Sequence, residues 1–109
     1  MKNNKKVKLL LSFLEEHKAE DIEAIDVSNS TPFAETYVLA TAPNLRALGA
    51  YADLVEDELE KNGFDVRAKE GTGDSQWVII DSFDVVIHLF SREKREEIGL
   101  TQIIEKAGK

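Results

Sequence analysis

Two aspartates, a histidine and the chain's one tryptophan crowd into the stretch Trp77 to Phe90. Asp81 and Asp84 are carboxylates of the kind that hold Mg2+ in enzymes. Aspartate is equally a turn residue, because its side chain bonds nearby backbone N–H groups. The turn reading is preferred, since the spacing is not the Asp-x-Asp pair that nucleotidyltransferases carry on one strand face. Gly71-Thr72-Gly73-Asp74-Ser75 has the glycines of a phosphate-cradling loop, but no lysine follows and a strand, not a helix, comes next. A hairpin-type connection explains those glycines better. His88 has no second histidine near it, and His17 belongs to a different element, which argues against a histidine metal site. A general base also needs an orienting partner and a nucleophile in reach. No nucleophile is found, so packing beside Trp77 is the preferred role.

The element that positions these residues is a hairpin. Two apolar runs, Trp77 to Ile80 and Val85 to Phe90, flank a short polar break. A loop of Ser82-Phe83, or of Asp81 to Asp84, pairs Ile80 with Val85, Val78 with Ile87 and Trp77 with His88. Alternation then separates the faces. Val78, Ile80, Val85, Ile87 and Leu89 make an aliphatic face that belongs against a helix. Trp77, Ile79, Asp81, Asp84, Val86, His88 and Phe90 make an amphipathic face suited to a partner. A strand tryptophan is more often core than interface, but this strand already has an aliphatic face to bury. Trp77 is therefore read as a contact residue.

The rest of the chain supplies the frame. Val7, Leu10, Leu11 and Leu14 predict a helix from Lys5 to Lys18, and Ile22 to Val27 a first strand. Ser28 to Pro32 is loop chemistry, and Thr36 to Ala42 a second strand. Pro43 suits the first turn of the next helix, where Leu45, Leu48, Ala52, Val55 and Leu59 form one stripe opposite Asp53, Glu56, Asp57 and Glu60. Asn62-Gly63 ends it. A third strand spans Phe64 to Lys69. A last helix opens at Arg92, with Leu100, Ile103 and Ile104 as its apolar edge, and is expected to be broken or frayed by Gly99. The order α-β-β-α-β-β-β-α predicts an α/β (α+β) domain, with one mixed β-sheet of about five strands and packed helices.

With 109 residues the chain reads as one domain, 1–109, without repeat or linker. It has no cysteine, which rules out a disulfide framework and thiolate metal sites. The net charge of −7 disfavours duplex or ribosomal-RNA binding and suits a basic protein partner. The lysines near the start, Lys2, Lys5, Lys6 and Lys8, read as a solvated helix end. Glu15 and Glu16 interrupt the apolar run behind them, so no signal peptide is expected. No run approaches the ~18 apolar residues of a membrane span. A cytoplasmic protein is expected.

From Lys18 to about Leu100 the chain resembles the ribosomal silencing factor family (RsfS, or Iojap-like). The resemblance is carried, in order, by Lys18-Ala19-Glu20-Asp21-Ile22, Asp26-Val27-Ser28, Tyr37-Val38-Leu39-Ala40-Thr41, Ala52-Asp53, Glu70-Gly71, Trp77 through Asp81, and Asp84 through His88 with Phe90. It implies a nucleotidyltransferase-like fold without the catalytic motif. It also implies a cytoplasmic, non-enzymatic protein that binds ribosomal protein L14 (uL14) of the large (50S) subunit. Occupying that surface blocks subunit association and represses translation under nutrient limitation. The family is homodimeric when free, and no cofactor or sequence-specific nucleic-acid binding is implied. The family's contact surface maps onto Trp77, Asp81, Ser82, Phe83, Arg95 and Ile98. This chain departs there: Ser82-Phe83 replace a large residue and glycine, Glu97-Ile98 an aromatic-Tyr pair, and Ile104 a tryptophan. Ser30 to Thr36 also differs from the usual segment.

Two other readings remain open from the sequence. One is a nucleotide-binding or residual nucleotidyltransferase-like enzyme using Asp81, Asp84 and the Gly71–Gly73 loop. The other is a homodimeric scaffold module that uses the Trp77 face for itself.

Overall fold

The computed structural model describes residues 4–107. Lys2 of the basic cluster and both ends of the expected 1–109 domain lie outside the described residues. In chain order the elements are α1 (Asn4–Glu16), β1 (Glu20–Asp26), β2 (Thr36–Thr41), α2 (Leu45–Lys61), β3 (Ala68–Glu70), β4 (Trp77–Ser82), β5 (Val85–Phe90), α3 (Arg92–Ile98) and α4 (Leu100–Ala107). The strands form one mixed sheet, ordered β1-β2-β5-β4-β3. Only β2 and β5 run parallel; the other neighbours are antiparallel. The α/β class and single mixed sheet expected from the element order are found.

The main core is the aliphatic face predicted for the hairpin. Val78, Ile80, Val85, Ile87 and Leu89 pack with Val38 and Ala40 of β2 against Leu10 and Leu14 of α1 and Leu48, Val55 and Leu59 of α2. Each large aliphatic side chain fully buried there contributes about 1.5–3 kcal/mol. The α2 stripe is as expected except at its start, where Leu45 is exposed. Pro43 does not open that helix. Asn44 is the N-cap, its side chain accepting from Ala47 N–H at 2.8 Å, and Pro43 precedes it.

The second face is less open than the alternation implied. Val27, Ala34, Val86 and Ile104 form a second cluster there, joined by Tyr37, Ile79 and Leu100. The turn from α3 into α4 folds over that face because Gly99 takes φ +58 and ends α3. The helix break at Gly99 is therefore real, and its left-handed conformation is why glycine suits the position. Ile103 does not join the apolar edge; it is 54% exposed, while Leu100 and Ile104 turn inward. Every residue of β5 is buried, so the open parts of this face lie on either side of it, at β4 and β3 and at β1.

Two further expectations are corrected. The hairpin loop is Phe83-Asp84, so Ser82 pairs with Val85, Ile80 with Ile87, Val78 with Leu89 and Trp77 with Phe90. Shifting the register by two residues preserves both faces, which is why the face assignment survives. Ser82 stays in the strand because its hydroxyl donates to the Asp65 carbonyl at 2.7 Å, while Phe83 turns the chain at φ +63. The third strand is shorter than Phe64 to Lys69. Phe64 and Val66 pack against the main core, leaving Ala68–Glu70 as an exposed edge strand.

Lys6 does not belong to a solvated helix end. Lys5 and Lys8 are exposed, but Lys6 is buried. Its ammonium donates to the Ser82 carbonyl at 2.9 Å and to Asp84 at 3.0 Å, and lies over the Phe64 ring.

Candidate functional site

The first helical turn of α3 sets the position of Trp77. Ser91 caps α3, accepting from Lys94 N–H, and its hydroxyl donates to Gln76 Oε1 at 2.9 Å. Ser91 N–H also donates to the Gln76 carbonyl. β4 therefore begins against the start of α3, with Trp77 beside Phe90. Gly71 backs onto the same point. At φ +90, a Cβ there would lie 2.2 Å from the Trp77 carbonyl. The glycine serves this close backbone approach in the connection to β4, which favours the hairpin-type explanation over a phosphate cradle.

Burial along β4 alternates strictly. Val78, Ile80 and Ser82 are buried, whereas Trp77, Ile79 and Asp81 are partly exposed. Trp77 stacks on Phe90 with centroids 5.5 Å apart and an interplanar angle of 22°. Its indole N–H donates to His88 Nδ1 at 3.2 Å. The His88 ring also lies 4.5 Å from Tyr37. Burial lowers its pKa to about 4, so the imidazole is neutral at neutral pH. With Nδ1 accepting, the proton sits on Nε2, which is buried and has no hydrogen-bond partner among the described residues. Such a donor costs roughly 1–3 kcal/mol. Packing beside Trp77 is thus the role His88 has, though diagonally across the ladder and not directly opposite.

The carboxylates are occupied structurally. Asp81 accepts from Phe83 N–H at 3.0 Å, the turn role expected of it, and pairs with Arg67 at 2.8 Å. Asp84 pairs with Lys6. Among the described residues no group of three or more His, Cys, Asp or Glu could hold a metal ion.

The six residues named for the contact surface do not form one patch. Trp77 lies at one end of β4, where α3 with Arg95 and Ile98 also begins. Asp81 and Phe83 lie toward the other end, about 13 and 20 Å along the strand for four and six residues at about 3.3 Å each. Asp81 shares the Trp77 face, and Phe83 is 45% exposed with Arg67 over its ring. Ser82 is corrected: it is fully buried on the opposite, core face and presents no side chain to a partner.

Arg95 is largely structural in its bonding. Its guanidinium donates to the Asp21 carbonyl, to Thr41 Oγ1 and to Glu23. It walls a cleft of about 710 Å3 between the start of β1 and the α3–α4 turn. At the cleft mouth Arg92 bonds Glu20, holding that carboxyl below its usual range. Of the other departures, Glu97 is exposed and pairs with Lys94, Ile98 is partly exposed, and Ile104 is buried in the second cluster.

Sequence reasoning missed Arg67 and Phe33, and read Lys6 only as part of a solvated helix end. Phe33 is 80% exposed and shares a surface groove with Phe83 and Arg67. Its only sequence signal is an aromatic residue stranded in loop chemistry after Pro32.

Fold and face together define a single-sheet α+β domain with α1 and α2 over one face, α4 over part of the other, and an aromatic strand at the open part of that second face. The sequence model of the family described as "ribosomal silencing factor during starvation" matches residues 1–108. The ribosomal silencing factor of Bacillus subtilis is 27% identical over 97 residues, covering 89% of this chain and 82% of that protein. That of Chromobacterium violaceum is 34% identical over 82 residues, covering 75% and 67%. A crystal structure of a Chromobacterium violaceum protein superimposes with a TM-score of 0.90 at 28% identity, covering 96% of this chain and 88% of that one. The chain belongs to the ribosomal silencing factor family. Its role is accordingly a regulatory one, in ribosome silencing. Among the described residues no helix is long and apolar enough to cross a membrane.

Proposed function

We propose that this protein binds L14 of the large ribosomal subunit through the open side of β4 and the adjoining α3. Its bulk on that surface keeps the small subunit from joining, repressing translation under nutrient limitation in the cytoplasm. The observation that carries the reading is the burial pattern of β4, with Trp77, Ile79 and Asp81 partly exposed between fully buried neighbours. A half-exposed tryptophan braced from behind is the kind of residue that dominates an interface. The net charge of −7 favours encounter with a basic ribosomal protein. No bond making is required: steric exclusion suffices. The free protein is proposed to be a homodimer.

The test is co-sedimentation with large subunits and pull-down of L14. Trp77→Ala is expected to weaken both at least about tenfold, the scale of an interface anchor. Unchanged binding by that variant would remove Trp77 as the anchor.

A further inference from the structure

The indole nitrogen of Trp77 can only donate, so the histidine nitrogen facing it must carry no proton. Nothing else sets this tautomer: His88 Nε2 has no hydrogen-bond partner among the described residues. The imidazole is itself held in place by Tyr37 on one side and the Phe90 ring on another, at centroid distances of 4.5 and 6.1 Å. Trp77 thus leans on a group that is buried, ring-packed and aimed at it.

We infer that His88 is the positioning residue for Trp77: its bare Nδ1 accepts the indole N–H and holds that ring in one orientation on the open strand. The arrangement also restricts what a partner can offer. With its N–H engaged, Trp77 presents only ring face and edge. The matching group is then the aliphatic stem or cationic head of a lysine or arginine, not a hydrogen-bond acceptor. The binding consequence rests on the proposed use of Trp77 as anchor; the positioning itself does not.

Trp77 is the only tryptophan, so its indole N–H gives one isolated NMR signal. His88→Asn places an acceptor oxygen near the Nδ1 position, whereas His88→Phe keeps a ring and removes the acceptor. In wild type, the imidazole nitrogen shifts are expected to report the Nε2–H tautomer. His88→Phe is expected to shift the indole signal and speed its solvent exchange, and His88→Asn to restore both toward wild type. Binding to large subunits should fall about three- to tenfold in His88→Phe, the effect of one ordinary hydrogen bond, and recover in His88→Asn. An Nδ1–H tautomer in wild type, which needs no variant to fold, would overturn the inference. So would an unchanged indole signal in folded His88→Phe, or no recovery in folded His88→Asn. If Trp77→Ala binds normally while the indole signal still follows residue 88, the anchor fails and the positioning stands.

Discussion

Lys6 and Asp84 sit seventy-eight positions apart in sequence, yet their ammonium and carboxylate meet at 3.0 Å. The same ammonium bonds the carbonyl of Ser82, so one lysine from the first turns of α1 clasps the β4–β5 hairpin at its tip.

Replacing that lysine by methionine keeps most of the packing volume but removes the bond to the Ser82 carbonyl and leaves Asp84 without its cation. Lys6→Met is expected to cost about 2 kcal/mol, the scale of hydrogen bonds to a charged group. For a domain of this size that corresponds to a fall in Tm of roughly 10 °C. Thermal unfolding at neutral pH measures it.

His88 makes stability depend on pH in a definite direction. Its folded-state pKa of about 4 lies below its ordinary 6.5, because burial penalises the charged ring. The unfolded chain therefore binds the extra proton first as pH falls. The contribution is complete above pH 6.5 and is lost as pH drops through 6.5 toward 4, by about 3 kcal/mol in all. Urea unfolding across that range should show the loss in wild type and a flatter profile in His88→Asn. Parallel profiles for the two proteins would contradict the assignment.

Two glycines should respond to alanine with opposite signs. Gly49 lies inside α2 with open space where an added methyl group would sit, so Gly49→Ala should stabilise by up to about 1 kcal/mol. Gly71 adopts φ +90, and its added methyl would collide with the Trp77 backbone. Gly71→Ala should destabilise by at least about 2 kcal/mol through clash and strain together. Paired chemical denaturation curves give both values.

Ser82 and Phe83 are neighbours with separate expected roles. Ser82→Ala removes the bond to the Asp65 carbonyl and should cost about 1–2 kcal/mol of stability while leaving large-subunit binding unchanged. Phe83→Ala removes an exposed ring that packs on Arg67 alone among the ring and cation contacts described, and should alter stability by less than about 1 kcal/mol. A binding loss in Phe83→Ala would place the hairpin tip on the partner surface. Equal binding by both variants would confine the surface to the Trp77 end.

Local spacing was enough to tell which residues share a face. Alternation over Trp77 to Phe90 depends on nothing but the period of a strand, so the aliphatic core face was legible, and a two-residue error in register left it intact. The α2 stripe followed from helical periodicity, and the break at Gly99 from glycine's cost within a helix; that Gly99 takes a left-handed φ was shown only by the folded chain. The family motifs were likewise legible in order. Long-range contacts were not. That Lys6 is buried, that Ser82 stays in the strand, and that Ile104 and Leu100 cover part of the second face all depend on partners 17 or more residues away. That His88 packs beside Trp77 was expected, but only the folded chain sets them diagonally with Nδ1 toward the indole N–H, because that register is decided by the turn at Phe83-Asp84. It also separates Phe83 from Trp77 by the length of β4, since a strand carries sequence neighbours apart as surely as a sheet brings distant residues together.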